Sequence, residues 1–191
     1  SIVRGHLNGA GIEHLPFPMS KDAQVLAEAW ERNARRVLEV LATGSDAAFV
    51  TLGDPLTYST FGYLLKTLKR LDPRVGIVTI PGITSYSAAA ALTHIPLTEG
   101  EESFYLVSGA LGAAQLKEVI DKSDNIVILK TYRYFDEIYR VLEDLALLDR
   151  PSCISRCGLE GETIVENLRD LQGRELPYLS MVIIKKKGKG Y

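Results

Sequence analysis

Apolar residues follow two patterns along the chain, which alternate from one end to the other. Short continuous apolar runs are typical of buried β-strands, and apolar residues at steps of three and four are typical of amphipathic α-helices. The apolar runs predict strands over residues 12–17, 47–52, 75–80, 104–107, 125–129, 152–156, 162–166 and 178–184. The helical pattern predicts helices over residues 21–43, from about 58 to 71, and over 84–92, 113–120 and 135–148.

The first helix and the strand after it have the clearest signals. Ser20 is a suitable N-cap, the apolar face repeats at helical spacing, and Gly44 is typical of a helix C-terminus. The run from Ala47 to Leu52 has no polar interruption before Thr51. A run of that length predicts a strand that is buried on both faces.

The order of these elements predicts the fold class and the domains. Alternating strands and helices predict an α/β fold with helices on the faces of the sheets. The polar segment 94–102 has no periodicity, and it predicts an interdomain linker. We therefore expect an N-terminal α/β domain over residues 1–97 and a C-terminal α/β domain over residues 98–191. The three late strands predict a mixed sheet in the second domain, followed by a solvated lysine-rich tail over residues 185–191.

Composition and charge exclude several classes of function. The 191 residues carry 22 basic and 24 acidic side chains, for a net charge of -2. Such a balance gives no global field for nucleic acid or an anionic membrane, so neither is an expected partner. No apolar run approaches the roughly 20 residues that a membrane span requires.

The cysteines and the first residue carry two further expectations. Cys153 and Cys157 have no histidine near them in sequence, which favours packed, reduced thiols over a zinc site and a cytoplasmic location. No metal is expected.

The chain begins at Ser1 without a methionine or a signal peptide, which indicates a piece of a longer protein.

The strongest candidate for chemistry is the segment 51–60, Thr-Leu-Gly-Asp-Pro-Leu-Thr-Tyr-Ser-Thr. It follows a predicted buried strand and leads into a helix, and in open α/β sheets ligands bind at that end of the strands. Gly53 allows a ligand to approach the backbone, and Asp54 can accept hydrogen bonds. The alternative is an ordinary Gly-Asp-Pro turn whose hydroxyl side chains cap the helix.

A second segment of the same kind is Ile-Pro-Gly-Ile-Thr-Ser-Tyr-Ser over residues 80–87. A predicted strand again ends in a turn, and Thr84 or Ser85 can cap the helix that follows. Two such turns on successive strands would face the same end of one sheet, which favours a shared ligand cleft. The chain has no P-loop, no G-x-S-x-G elbow and no G-x-G-x-x-G after a strand.

Together, the segments 52–55 and 81–85 resemble the tetrapyrrole methylase family. Its precorrin-2 C(20)-methyltransferase branch also resembles the segments 17–22, 29–30, 51–60 and 81–90. The resemblance covers essentially the whole chain, more loosely after the linker. One feature is not matched: the family begins with a strand and a Gly-Pro-rich loop, which this sequence does not contain. We therefore expect the first domain to be truncated at its start.

The resemblance implies two α/β domains with a cleft between them that holds S-adenosylmethionine. It also implies a set of cofactor-binding residues. In the first domain they are Leu52, Gly53, Asp54, Thr57, Tyr58, Ser59, Thr84 and Ser85. In the second domain they are Lys130 and Thr131, which would contact the adenosine.

The implied reaction is methyl transfer to C(20) of precorrin-2 or of its cobalt form, and S-adenosylhomocysteine is the product of the cofactor. Arg133 and Arg156 lie at predicted strand ends and are candidates for pairing with the carboxylates of the tetrapyrrole. Asp54 and Tyr58 are nearest to the reaction by sequence, but no general base is assigned. A homodimer is expected from the resemblance alone.

Three alternatives stay open. The chain could be another tetrapyrrole methylase that acts at a different carbon. It could bind the cofactor or a tetrapyrrole without turnover. Least favoured is a generic α/β nucleotide-binding domain.

Overall fold

The structure is a computed structural model that describes residues 11–186, and it divides into two compact units. The first unit ends at Thr84 and the second begins at Ser85. The domain boundary expected between residues 97 and 98 stays a prediction.

The first unit contains two packed helices, α1 (Ala23–Ala42) and α2 (Phe61–Leu71). Their facing apolar side chains form a core with Val75, which follows α2. Next to that core the rings of Trp30 and Tyr63 stack with their centroids 4.4 Å apart. The helical spacing read from the sequence is thus confirmed for both helices.

The N-cap of α1 is Asp22, so the expectation of Ser20 was wrong. The Asp22 carboxylate accepts hydrogen bonds from the backbone N–H groups of Gln24 and Val25. Ser20 acts one step earlier, because its hydroxyl accepts from the backbone N–H of Asp22 at 3.0 Å. A carboxylate satisfies two free N–H groups and also interacts favourably with the positive end of the helix dipole.

The three strands predicted in the first unit are also wrong. Within residues 11–186, the segments 12–17, 47–52 and 75–80 do not belong to any ladder. One side of the last two segments packs on the helices through Phe49, Val75 and Ile77. The other side is open, with Val78 87% exposed and Ile80 78% exposed. An apolar run indicates that the side chains of a segment can be buried. A β-strand also requires a neighbouring strand with which its backbone can pair.

The second unit contains one five-stranded sheet with helices on it. Its strands are β1 (Phe104–Ser108), β2 (Asn125–Leu129), β3 (Pro151–Ser155), β4 (Thr163–Val165) and β5 (Ser180–Lys185). Their order across the sheet is β1-β2-β5-β3-β4. β1 and β2 are parallel, and every other pair is antiparallel, which confirms the mixed sheet expected from the sequence.

Both faces of this sheet are covered. The helices are α3 (Ser85–Thr93), α4 (Ala113–Lys122) and α5 (Phe135–Asp144). Ile126 and Ile128 point into a core that contains residues of α4 and α5. Val127, between them, points into a second core that contains Ala89 of α3. The continuous apolar run of β2 predicted this two-sided burial.

The polar segment 94–102 has no regular secondary structure, as expected, but it is attached to the second unit. Lys185, at the end of β5, donates hydrogen bonds to the Pro96 carbonyl oxygen at 3.2 Å and to the Glu99 carboxylate. Glu102 lies 3.7 Å from the same ammonium group. Lys185 is only 7% exposed, so its assignment to a solvated tail was wrong. Residues 187–191 of that tail lie outside the described residues.

The two thiols are not joined in a disulfide, and Cys153 is buried while Cys157 is half-buried. Over residues 11–186, no helix is both long and apolar enough to cross a membrane.

Candidate active site

The first loop (residues 53–57) is organised by the side chain of Asp54. Its Oδ1 accepts from the Leu56 backbone N–H at 2.9 Å and from the Thr57 hydroxyl at 3.1 Å. Gly53 has a φ of 75°, a left-handed conformation that favours glycine. The loop therefore has its conformation because a glycine and an aspartate stand next to each other.

The second loop (residues 81–83) lies directly against the first. The Gly82 backbone N–H donates to Asp54 Oδ2 at 3.3 Å. A Cβ on Gly82 would collide with the Gly53 carbonyl oxygen and come within 2.9 Å of the carbonyl carbon. The two motifs singled out in the sequence are thus in contact, and the glycine at position 82 is required for that contact.

The hydrogen bonds of Asp54 also set its charge. Donation from the backbone of Leu56, and then from that of Gly82, lowers the pKa of its carboxyl group. A carboxyl group with a lowered pKa is ionised at neutral pH. Asp54 is therefore a carboxylate whose two oxygens both accept hydrogen bonds from the loops around it.

The other predicted residues of the first unit have different environments. Leu52 is 61% exposed, and Tyr58 is 52% exposed with a φ of 51°. The Ser59 hydroxyl lies 3.3 Å from that of Thr51, and it also accepts from the Phe61 backbone N–H at the start of α2. Ser59 thus bonds to the first N–H of α2 from the position before the N-cap, Thr60, whose own side chain makes no capping hydrogen bond. Thr84 is the last residue of the unit.

The predicted residues of the second unit follow the ends of parallel strands. β2 and β3 both run antiparallel to β5, so their carboxyl ends lie at the same end of the sheet. Lys130 follows β2 and Arg156 follows β3. Both are exposed, and both have left-handed backbones, with φ of 58° and 55°. Ser85, by contrast, is the first residue of α3.

Thr131 is the most informative of these residues. It lies in a short 3₁₀ helix, Thr131–Arg133, and its side chain is fully buried. Its hydroxyl oxygen has no hydrogen-bond partner in the structure. A buried polar group without a partner costs about 1–3 kcal/mol, and a water, an ion or a ligand that supplies the partner is one explanation for it.

Aromatic residues and close backbone packing complete this end of the sheet. The Arg133 guanidinium lies over the Tyr132 ring, 5.2 Å from its centroid. Tyr132 also packs edge-on against Tyr178, with centroids 5.0 Å apart. The sequence reading did not select Tyr178, although its place just before a strand antiparallel to β2 and β3 could have indicated it. Gly109, after β1, was missed too; a Cβ there would lie 3.1 Å from the Lys130 carbonyl oxygen.

Each group, taken within its own unit, has a feature that suits an adenosyl cofactor such as S-adenosylmethionine. In the first unit a Cβ on Gly53 would contact only the Ile83 carbonyl oxygen, at 3.5 Å, whereas the space beside Gly82 is filled by the Gly53 carbonyl group. In the second unit the Thr131 hydroxyl is buried without a partner. Over residues 11–186, no cluster of three or more histidine, cysteine or carboxylate side chains could hold a metal ion.

Comparison with known proteins agrees with these features. A family profile described as "Tetrapyrrole (Corrin/Porphyrin) Methylases" matches residues 1–172. A "Probable cobalt-precorrin-2 C(20)-methyltransferase" from Methanocaldococcus jannaschii is 34% identical over 189 residues, which cover 97% of this chain and 77% of the relative. A "Cobalt-precorrin-2 C(20)-methyltransferase" from Salmonella typhimurium is 29% identical, over 98% of this chain and 78% of the relative.

A similar fold occurs among solved structures. The uroporphyrin-III C-methyltransferase of Thermus thermophilus, crystallised with S-adenosylhomocysteine, superposes with a TM-score of 0.58 at 22% identity. The match covers 82% of this chain and 73% of that structure. The α/β fold class expected from the sequence is therefore confirmed.

Proposed function

This chain belongs to the tetrapyrrole (corrin/porphyrin) methylase family, and from that premise we propose that it methylates C(20) of cobalt-precorrin-2 with S-adenosylmethionine as the donor. The observation that carries the proposal is the 34% identity, over 97% of the chain, to the Methanocaldococcus jannaschii relative with that name. The Salmonella typhimurium relative is also named for the cobalt substrate. Cobalt-precorrin-2 is therefore the first substrate to test, and metal-free precorrin-2 is the second.

In the proposed reaction C(20) attacks the methyl group, S-adenosylhomocysteine leaves, and the proton of C(20) passes to a base that is not assigned. Bound S-adenosylmethionine supplies a methyl group that is already activated by its sulfonium. The chain's contribution is to bind and align the two reactants, which is worth roughly 7–11 kcal/mol when the geometry is correct. In this proposal the first and second loops hold the methionine end of the cofactor, largely through backbone groups. Lys130 and Thr131 hold the adenosine, and the Thr131 hydroxyl gains the partner that it lacks in the structure.

The tetrapyrrole substrate carries several carboxylates, and exposed basic groups are needed to meet them. Arg133 and Arg156 are both exposed, and each follows a strand that ends on the same side of the sheet. Arg133 is also held over the Tyr132 ring, which restricts the orientation of its guanidinium. A planar guanidinium can pair with a carboxylate through two parallel hydrogen bonds. We propose these two arginines as substrate contacts.

We also propose a homodimer, because the family resemblance implies one, and a cytoplasmic location, because the two thiols are not joined in a disulfide. Size-exclusion chromatography coupled to light scattering measures the mass of the assembly. A single-chain mass would contradict the dimer.

The decisive experiment is methyl transfer with an isotopic label. The protein is incubated with S-adenosylmethionine labelled with ¹³C in its methyl group and with cobalt-precorrin-2 or precorrin-2, and NMR locates the label. We expect label at C(20). Label at another carbon would assign a different methylase, and binding of S-adenosylhomocysteine without transfer to either substrate would indicate a protein that binds the cofactor only.

A further inference from the structure

The Asp54 carboxylate joins the two loops of the proposed cofactor site in the first unit. Its Oδ1 accepts from Leu56 and Thr57 in the first loop, and its Oδ2 accepts from the Gly82 N–H in the second. Each oxygen thus serves a different loop. We propose that Asp54 is a positioning residue, which holds the two loops in the spacing that the cofactor requires, and that it is not the base of the reaction.

The packing of the loops supports this role. The Gly82 Cα lies so close to the Gly53 carbonyl that no side chain fits between them, and the Asp54 Cα would lie 3.4 Å from such a Cβ. If the loops moved apart slightly, the Gly82 N–H would become exposed and, at the same time, the Gly53 carbonyl would change its position. The Asp54 carboxylate prevents that separation because it bonds to both loops at once.

The same hydrogen bonds argue against proton abstraction by Asp54. An efficient general base has a pKa near the operating pH. Donation from the backbone of Leu56 and of Gly82 lowers the pKa of Asp54, so its carboxylate is a weak base. Protonation of Asp54 would also weaken the charge-assisted hydrogen bonds that it accepts from the two loops. The side chain is thus well placed to hold the loops and poorly placed to take a proton.

Substitution of Asp54 by asparagine tests the proposal, which rests on the proposed function. Asp54→Asn keeps the shape but replaces one acceptor oxygen by an NH₂ donor, so it can satisfy only one of the two loops. We expect the Kd for S-adenosylhomocysteine and the KM for S-adenosylmethionine to rise at least tenfold. We expect kcat at saturating donor to fall less than about threefold. A loss of 100-fold or more in kcat with an unchanged Kd would instead identify a base and overturn the proposal.

Asp72→Asn is the matched control. Asp72 makes the same kind of turn, because its Oδ1 accepts from the Arg74 backbone N–H at 2.9 Å, but it follows α2 and is not bonded to the second loop. We expect this variant to leave Kd, KM and kcat unchanged. An equal rise in Kd in both variants would also overturn the proposal, since it would indicate a general effect of replacing a turn aspartate by asparagine.

Amide hydrogen exchange tests whether Asp54 holds the two loops together, and this measurement requires no turnover. In the wild type the Gly82 N–H should be protected, and in Asp54→Asn that protection should be lost while the Leu68 N–H in α2 keeps its own. Unchanged protection of the Gly82 N–H in Asp54→Asn would contradict the positioning role of Asp54. If the wild type binds no S-adenosylhomocysteine, the proposed function fails. The exchange result still shows whether Asp54 holds the two loops together.

A second pair of variants covers the case in which Asp54→Asn does not fold. Thr57→Val removes the hydroxyl that donates to Oδ1, and Thr57→Ser keeps it. We expect Thr57→Val to raise the Kd about threefold or more and Thr57→Ser to restore it. Equal affinities in the two variants would contradict the proposal.

Discussion

Gly82 lies against the carbonyl group of Gly53, so closely that a Cβ at residue 82 would approach the carbonyl carbon to 2.9 Å. The contact joins the two turns that carry the family resemblance. We predict that Gly82→Ala forces these turns apart, lowers the free energy of unfolding by about 1–3 kcal/mol, and raises the Kd for S-adenosylhomocysteine at least tenfold. Thermal denaturation and calorimetric titration measure the two effects.

Gly76→Ala is the control for that substitution. Gly76 lies in the extended segment before the second loop, and a Cβ there would have no atom within 4 Å. Wild-type stability and affinity are expected. A similar loss in both variants would show that chain stiffness, and not the contact with Gly53, is responsible.

Thr131→Val tests whether the Thr131 hydroxyl binds a ligand or stabilises the fold. The Thr131 hydroxyl is buried without a partner, so its replacement by a methyl group should leave the stability of the free protein unchanged or raise it by about 1 kcal/mol. The same change should weaken cofactor binding about fivefold or more. Thr67→Val is the comparison, because the Thr67 hydroxyl donates to the Tyr63 carbonyl oxygen at 2.8 Å. That variant should lose about 0.5–1.5 kcal/mol of stability and bind the cofactor normally.

The arginine at the carboxyl end of β3 should affect the tetrapyrrole and not the cofactor. Arg156→Gln is expected to raise the KM for the tetrapyrrole about tenfold, which corresponds to roughly 1.4 kcal/mol, with the KM for S-adenosylmethionine unchanged. Arg150 precedes the same strand and so lies at the opposite end of the sheet. Steady-state kinetics should find Arg150→Gln close to wild type, and equal effects of the two substitutions would argue against a substrate contact at Arg156.

Lys185 should contribute more stability than a surface lysine. It is 7% exposed and bonds to Pro96 and Glu99, so Lys185→Met removes a buried cation from two carboxylates. We expect a loss of about 1–3 kcal/mol. Lys122→Met breaks an exposed pair with Glu118 and should leave the free energy of unfolding close to that of the wild type. Urea denaturation of both variants tests the difference, and equal losses would contradict it.

The buried thiol of Cys153 predicts a pH dependence. Burial raises its pKa from 9.0 to about 11. Above pH 9 the unfolded chain loses this proton while the folded protein keeps it, so stability falls as the pH rises. Between pH 8 and 10 the wild type should lose about 1.4 kcal/mol more than Cys153→Ala. Denaturation curves of both proteins at the two pH values give this difference, and parallel losses would contradict it. The pKa of Lys185 is raised above 10.5, so its own contribution to stability is kept over this pH range.

The sequence by itself determined the helices and the chemistry of the two turns. Helical spacing located α1 and α2, and the uninterrupted apolar run of residues 125–129 predicted a strand with both faces covered. Both motifs were recognised because glycine, proline and aspartate have strong local preferences in turns. Each of these patterns depends only on a few neighbouring residues, so it can be recognised in the sequence.

Only the tertiary structure decided which segments pair and which polar groups meet. The segments 47–52 and 75–80 have strand-like sequences but no ladder within the described residues, because pairing depends on a neighbour elsewhere in the chain. The lysine-rich sequence around Lys185 predicts a solvated tail, because the carboxylate partners of Lys185 are far away in sequence. The bond from Gly82 to Asp54 joins residues 28 positions apart. Such contacts arise when the chain folds back on itself, and no local pattern records them.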